Sequence, residues 1–306
     1  MAAIAFLIAS QALRHTQARV VFLAIVMWAA GIFSLLAILQ MYSAPNLCLW
    51  LFPVDPSSVG TFLYKNQFAA MLEMAVPIAL YATFFKPKWF WWGLAVFLAL
   101  FAGSIASASR AGATLVLLES AVMLTLAWRG GKIRLAAVLI AVPGTLLLLG
   151  GIAVIAGSDM AFQHFQEMHD STRQELVKST LAMNKDEPWT GYGLGTWSVV
   201  YPKYATFDLG RWANAAHNDW LEWWSEGGLV FVGSFAGLFI LLARRALQHP
   251  WSLGIFSICL HSWVDYPTRE PVLAILWFSL AGALAAATSV ERRASETTPA
   301  RESSFP

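Results

Sequence analysis

The side chains best suited to chemistry in this 306-residue chain are two arginines and a histidine, Arg110, Arg173 and His217. Each sits in a short polar block between apolar runs. Guanidinium groups grip phosphate oxygens as a two-pronged fork, and a neutral imidazole is the form a general base needs. Arg110 lies in the turn Ser109-Arg110-Ala111-Gly112. Arg173 follows Asp170 and Ser171, either of which can cap a helix running to about Lys185 and ending before Pro188. His217 lies between Asn214, a good N-cap, and the breaker Gly227-Gly228, so a short helix is expected there with His217 in its first turn. In that position the positive end of the helix dipole favours the neutral ring. The two helix starts, at Ser171 and Asn214, would add backbone N–H donors for an anion.

Amides and acids accompany them. Lys65 and Asn66 lead into an apolar run, and Glu73, seven residues on, shares a helical face with Asn66. Asn218 follows His217, and Asp265 closes a block that begins at His261. Each also has a bland reading. A single membrane-proximal histidine is more often a satisfied structural residue than a base. Lys65 and Arg269 can snorkel to headgroup phosphates. Trp220, Trp223 and Trp224 suit an interfacial belt. Glu73 and Glu119 lie inside apolar runs, where an acid marks a pathway or a buried pair. Gly191, Gly193 and Gly195 have no strand before them, so a turn is expected rather than a dinucleotide site. His164, His169 and His217 lack metal-ligand spacing, and no metal is expected. Cys48 and Cys259 have neither metal nor disulfide-framework spacing.

The elements that must position these groups are membrane helices. Apolar residues make up 58% of the chain and charged residues 12%, against about 25% charged in soluble proteins. Runs long enough to cross a bilayer predict eight spans, near 20–41, 66–85, 89–108, 112–128, 135–156, 228–243, 250–264 and 271–290. Residues 1–12 look like the stump of a further span. Every second connector is short and basic: Arg14 and Arg19, Lys86 and Lys88, Arg129 to Arg134, Arg244 and Arg245, Arg292 and Arg293. The positive-inside rule makes these cytoplasmic. All the candidate residues above except Glu119 then fall at or near the outer face. The net charge of +2 and the lack of a basic stripe give no sign of a nucleic-acid partner.

The expected fold is therefore all-α, a polytopic transmembrane bundle with one large, partly helical outer loop. Residues 1–156 would form the N-terminal membrane helices, 157–227 the loop, 228–290 the C-terminal helices, and 291–306 a disordered cytoplasmic tail. The loop holds ten acids against five Lys or Arg, as a hydrated segment with structure of its own would.

The motifs, in this order and on this side, look like those of the O-antigen ligase and polymerase superfamily of bacterial membrane glycosyltransferases. The resemblance rests on Gly60 to Asn66 (GTFLYKN), Ser109 to Gly112 (SRAG), Arg173 ahead of Pro188 to Gly195 (PWTGYGLG), His217 to Gly228 (HNDWLEWWSEGG) and Val264 to Pro267 (VDYP). The histidine block after a large outer loop is its most specific part. The resemblance implies transfer of a glycan from undecaprenyl diphosphate to an acceptor hydroxyl at the periplasmic face of the inner membrane, with inversion and without a metal or other cofactor. By position, Arg110 and Arg173 would hold the diphosphate, and His217 would activate the hydroxyl. Lys65, Asn66, Glu73, Asn218 and Asp265 would shape the substrate pocket. Asp265 has two further readings, as an alternative base or as a charge that orients His217 or pairs with an arginine. The implied partners are the lipid-linked donor, lipid A-core or another glycan or protein acceptor, and membrane lipids. Ligase-type transfer to lipid A-core is favoured over chain polymerisation and over protein O-glycosylation. A transporter of the same lipid is the reading from another class, and it would call for internal repeats that the sequence does not show. The family has about a dozen spans, which implies either a truncated start or a reduced member.

Overall fold

The computed structural model describes residues 1–55, 58–134, 170–206 and 212–297. Ten α-helices, four three-residue 3-10 turns and one two-stranded hairpin make up the regular structure of these residues. The helices are α1 (Ala2–Ala12), α2 (Thr16–Ser43), α3 (Lys65–Phe85), α4 (Phe90–Ala106), α5 (Arg110–Arg129), α6 (Asp170–Asp186), α7 (Trp197–Val200), α8 (Asp219–Ala246), α9 (Leu253–His261) and α10 (Pro271–Thr297). The hairpin pairs Leu47–Cys48 with Phe52–Pro53. The protein is an all-α polytopic bundle, as its composition predicts. Six of the described helices, α2, α3, α4, α5, α8 and α10, are long and apolar enough to cross a membrane. The span expected over 135–156, together with His164 and His169, lies outside the described residues.

Helix α3 is the most buried of the six and forms the centre of the bundle. It packs against α2, α4, α5 and α9. Small residues permit these contacts, because a bilayer supplies no hydrophobic force between helices and association depends on close packing. A Cβ on Gly93 of α4 would sit 2.7 Å from the Ala79 carbonyl oxygen of α3. One on Gly254 of α9 would sit 2.7 Å from the Glu73 carbonyl oxygen. Across the C-terminal half, Trp277 stacks on Phe239 at 4.8 Å, and Phe235 meets Trp223 at 4.7 Å.

Two expectations, the 250–264 span and the disordered tail, need correction. The segment 250–264 is not a full-length span: it is a buried 3-10 turn, Pro250–Ser252, followed by the nine-residue α9. So short a helix is tolerated because α3, α5 and α10 surround it, and irregular backbone at membrane depth is stable only inside protein. The N-terminal stump is a helix lying along α10, and a Cβ on Gly282 would meet the Phe6 carbonyl oxygen at 2.5 Å. The tail expected to be disordered from Glu291 remains helical to Thr297, in a stretch rich in good helix formers.

Helix α8 changes direction at Gly228, whose φ of 70° and ψ of −179° are open to glycine alone. Its first two turns, Asp219 to Gly227, thus form a separate arm feeding the membrane-crossing part. The stretch after Pro188 clasps this kink. Leu229 N–H donates to the Pro188 carbonyl, Tyr192 N–H to that of Ser225, and Gly193 N–H to that of Glu226. Gly191, at φ 65°, lies so close that a Cβ would approach the Glu226 carbonyl carbon to 2.5 Å.

Candidate functional site

The end of the bundle opposite the basic connectors gathers residues from five separate parts of the chain. Asn66, in the first turn of α3, donates from Nδ2 to Oδ2 of Asp265, 199 residues away. The other oxygen of Asp265 faces His217, with Nδ1 and Oδ1 3.4 Å apart. At that separation neither atom has a full hydrogen bond, and both are buried. His217 keeps 19% of its side chain exposed while Asp265 is nearly enclosed, so the imidazole is the group that reaches outward. The ring of Tyr266 meets His217 edge-on at 4.6 Å, and Tyr64 lies at 6.4 Å.

His217 is not in the first turn of a helix, as the sequence suggests. The N-cap is Asn218, not Asn214: its Oδ1 accepts from Leu221 N–H at 3.0 Å, and its Nδ2 donates to the Trp263 carbonyl at 2.8 Å. His217 therefore stands one residue outside the cap, in the left-handed region at φ 54°. Histidine is among the few side chains that enter that region with some ease. The residue also bears backbone strain, of the kind that clusters at functional sites.

Asp219 and Glu222, which sequence reasoning passed over, brace this arrangement. The Asp219 carboxylate accepts from Ser262 Oγ at 3.0 Å and from Thr268 Oγ1 and N–H at 2.7 and 3.1 Å. Asp219 N–H donates back to the carbonyls of Ser262 and Asp265. Glu222 accepts from Ala216 N–H at 2.8 Å and pairs with Arg269 at 2.5 Å. The loop carrying Asp265 is thereby tied to the arm beside His217. Arg269, at this end of the bundle, is thus explained by an ion pair rather than by snorkelling. The available signal was spacing: acids at 219 and 222 share one helical face directly after His217.

Arg173 reaches the same place from α6. Its charge acts on Asp265, and its buried Nε has no hydrogen-bond partner among the described residues. Burial alone would raise the Asp265 carboxyl. The facing His217 ring and the charges of His261, His217 and Arg173 outweigh that and hold it below its usual value. Arg110 is the first residue of α5, after Ser109, whose Oγ caps the helix by accepting from Gly112 N–H at 3.2 Å. Gly112 packs against α3 between Asn66 and Glu73, so closely that a Cβ on it would lie 2.5 Å from that of Ala69. Exposed Arg110 is thereby set at the same end of the bundle. Lys65 opens α3 beside Asn66.

Glu73 lies deeper on α3. It is fully buried and bonded at 2.7 Å to Nδ1 of His261, two turns inward from Asn66. Glu119, whose role the sequence leaves open, accepts from Ser257. The tryptophan cluster is also more than a belt. Trp220 and Trp224 donate to the carbonyls of Cys259 and Pro188, at 2.8 and 3.0 Å, and so fasten the arm to α9 and to the clasp. Among the described residues no group of three or more His, Cys, Asp or Glu is placed to hold a metal ion.

Residues 94–236 match the family model described as O-antigen ligase. Over that segment, just under half of the chain, the protein is similar to the O-antigen ligase family, and the match supports the resemblance that the motifs carry. No curated protein matches the chain. The matched segment contains Arg110, Arg173, His217 and Asn218. Lys65, Asn66, Glu73 and Asp265 lie outside it, and α3 and the end of α9 bring Asn66 and Asp265 into contact with it. The match and the six long apolar helices support a multi-pass membrane protein similar to the glycosyltransferases of that family.

Proposed function

We propose that this protein transfers a glycan from undecaprenyl diphosphate to an acceptor hydroxyl at the periplasmic face of the bacterial inner membrane, by ligase-type transfer to lipid A-core. One observation carries the reading: His217 is held by a carboxylate on its Nδ1 side, with Arg173 alongside. Asp265, braced by Asn66, keeps the Nδ1–H tautomer, which leaves Nε2 unprotonated and able to act as a base. That favours Asp265 as the orienting charge over Asp265 as the base itself.

The acceptor oxygen attacks the anomeric carbon of the donor from the face opposite the diphosphate. As the new C–O bond forms, the hydroxyl proton passes to His217 Nε2. The bond from the anomeric carbon to the phosphate oxygen breaks, and the diphosphate leaves with the electron pair. Arg110 and Arg173 meet the charge that grows on it, which is the task a metal performs in other transferases. The orphaned Nε of Arg173 suits a group that awaits an anion. Lys65 and Asn218 flank the pocket. No cofactor enters the scheme, and transfer is expected to persist in EDTA.

The same donor and the same attack would serve a polymerase or a protein O-oligosaccharyltransferase. The deciding experiment is a gel profile of surface polysaccharide from the native host carrying His217→Asn. Full-length polymer left on its lipid carrier identifies a ligase. Accumulated single repeats identify a polymerase. An unchanged profile would overturn the assignment of His217.

A further inference from the structure

Beneath the site a polar seam runs into the bundle. Ser257, His261 and Asp265 follow one another at intervals of four residues, one helical turn of about 5.4 Å each. Asp265 N–H closes the last turn by donating to the His261 carbonyl at 3.0 Å. Each of the three bonds to a different polar side chain across the bundle: Ser257 to Glu119 of α5, His261 to Glu73 of α3, and Asp265 to Asn66 of α3. The middle rung is the costly one. Both of its side chains are fully buried, and His261 Nε2 and Glu73 Oε2 have no hydrogen-bond partner among the described residues. A half-satisfied buried pair is a poor source of stability, since apolar residues of similar volume often serve better. Its position suggests another use.

We propose that the Glu73–His261 ion pair is a positioning element of the transfer reaction, placing a positive charge one turn beneath Asp265 that keeps this carboxylate charged and turned to His217. The inference rests on the reading of His217 as the base. Asp265 is faced by Arg173 from α6, by His217 and Tyr266 beside it, by Asp219 from α8, and by His261 and Glu73 from below. Outside the bundle, Arg173 is committed during turnover to the leaving diphosphate, and His217 gains a charge only with the proton it collects. His261 is a facing cation that neither substrate nor reaction engages. Glu73 supplies its counter-charge from α3.

The test is the pH dependence of kcat/KM for transfer from host-purified lipid-linked oligosaccharide to lipid A-core, with the full chain in nanodiscs. Glu73→Gln preserves shape and the bond to His261 but removes the counter-charge, so the ring below Asp265 gives up its proton. His261→Asn removes the cation directly. Losing a nearby positive charge favours protonation of every group around it, so both variants should move the acid limb to higher pH, by about one unit. Ser257→Ala breaks the innermost rung with no change of charge near Asp265, and its limb should stay in place. Folded variants with reduced kcat and an unmoved limb would make the pair mere packing and overturn the proposal. The histidine ring resonances of labelled protein, with His217 assigned by His217→Asn, give a second readout free of substrate. If the His217 titration moves upward in both variants while His217→Asn remains active, the coupling stands and the base assignment fails. If His217→Asn is inactive and neither the titration nor the limb moves, the base assignment stands and the coupling fails.

Discussion

Nδ1 of His217 and Oδ1 of Asp265 face each other at 3.4 Å, each buried and each without a full hydrogen bond. A ring shift of a few tenths of an ångström would join them. Catalytic hydrogen bonds are commonly long before substrate binds and tighten in the reacting complex. The pair therefore reads as a base with its orienting carboxylate, poised rather than locked.

His217 holds a left-handed backbone, so the substitution chosen matters. Asparagine accepts that conformation, whereas alanine would add strain of roughly 1–2 kcal/mol to the loss of the ring. His217→Asn should fold like the parent and bind donor, yet lose transfer by about 10²–10⁴-fold, the usual share of a general base. Transfer assays paired with thermal melting in detergent check this. Lost donor binding would make His217 a substrate ligand instead.

Arg173→Lys and Arg110→Lys keep the charge but lose the fork. Each should lower kcat by about 10²-fold, within the range for removing one donor that stabilises developing charge. Full activity in both lysine variants would remove the diphosphate assignment.

Arg269→Ala leaves Glu222 facing Ala216 N–H without its cation. Arg269 is 38% exposed, so solvent screens the pair. The cost should fall between the ~1 kcal/mol of a surface pair and the ~3–5 kcal/mol of a buried one. Adding Glu222→Gln should recover part of it in a double-mutant cycle of melting temperatures. Strict additivity of the two changes would mean that the pair contributes nothing.

Gly228→Ala should be severe. A Cβ there would fall 2.0 Å from the Trp189 carbonyl oxygen, and the backbone conformation itself costs a non-glycine residue about 1–3 kcal/mol. The expected result is a lower melting temperature with faster proteolysis after Pro188, where the clasp is anchored. A variant as resistant as wild type would show that the kink is not needed to hold the clasp.

The Asp265 carboxyl is held below its ordinary value of 3.8. A depressed folded value means a stabilising contribution that is fully present above about pH 4 and lost as pH falls through the folded value. Asp265→Asn should therefore narrow the stability difference between pH 6 and pH 3. Equal acid sensitivity in both proteins would place the acid-labile group elsewhere.

Much of this protein was legible in its sequence because the signals are local. Apolar run length and the alternation of basic connectors gave the all-α membrane bundle. Gly227-Gly228 marked the break in α8, and Asp170 to Lys185 marked α6 almost to the residue. The blocks around Arg110, Arg173 and His217 were visible from residue type and order. Two local signals misled. Asn214 is as good a cap by type as Asn218, and only the bond of Asn218 to the Trp263 carbonyl decides between them. The 250–264 run is apolar enough for a span, yet enclosure by neighbouring helices lets it stay short. What the tertiary structure alone decided is the pairing. Asn66 finds Asp265 across 199 residues and Glu73 finds His261 across 188, and neither separation has any periodicity to read. Hydropathy tells a helix which medium it lies in; only packing determines which buried polar group meets which, because each must find a partner within a few ångströms wherever the chain has brought one.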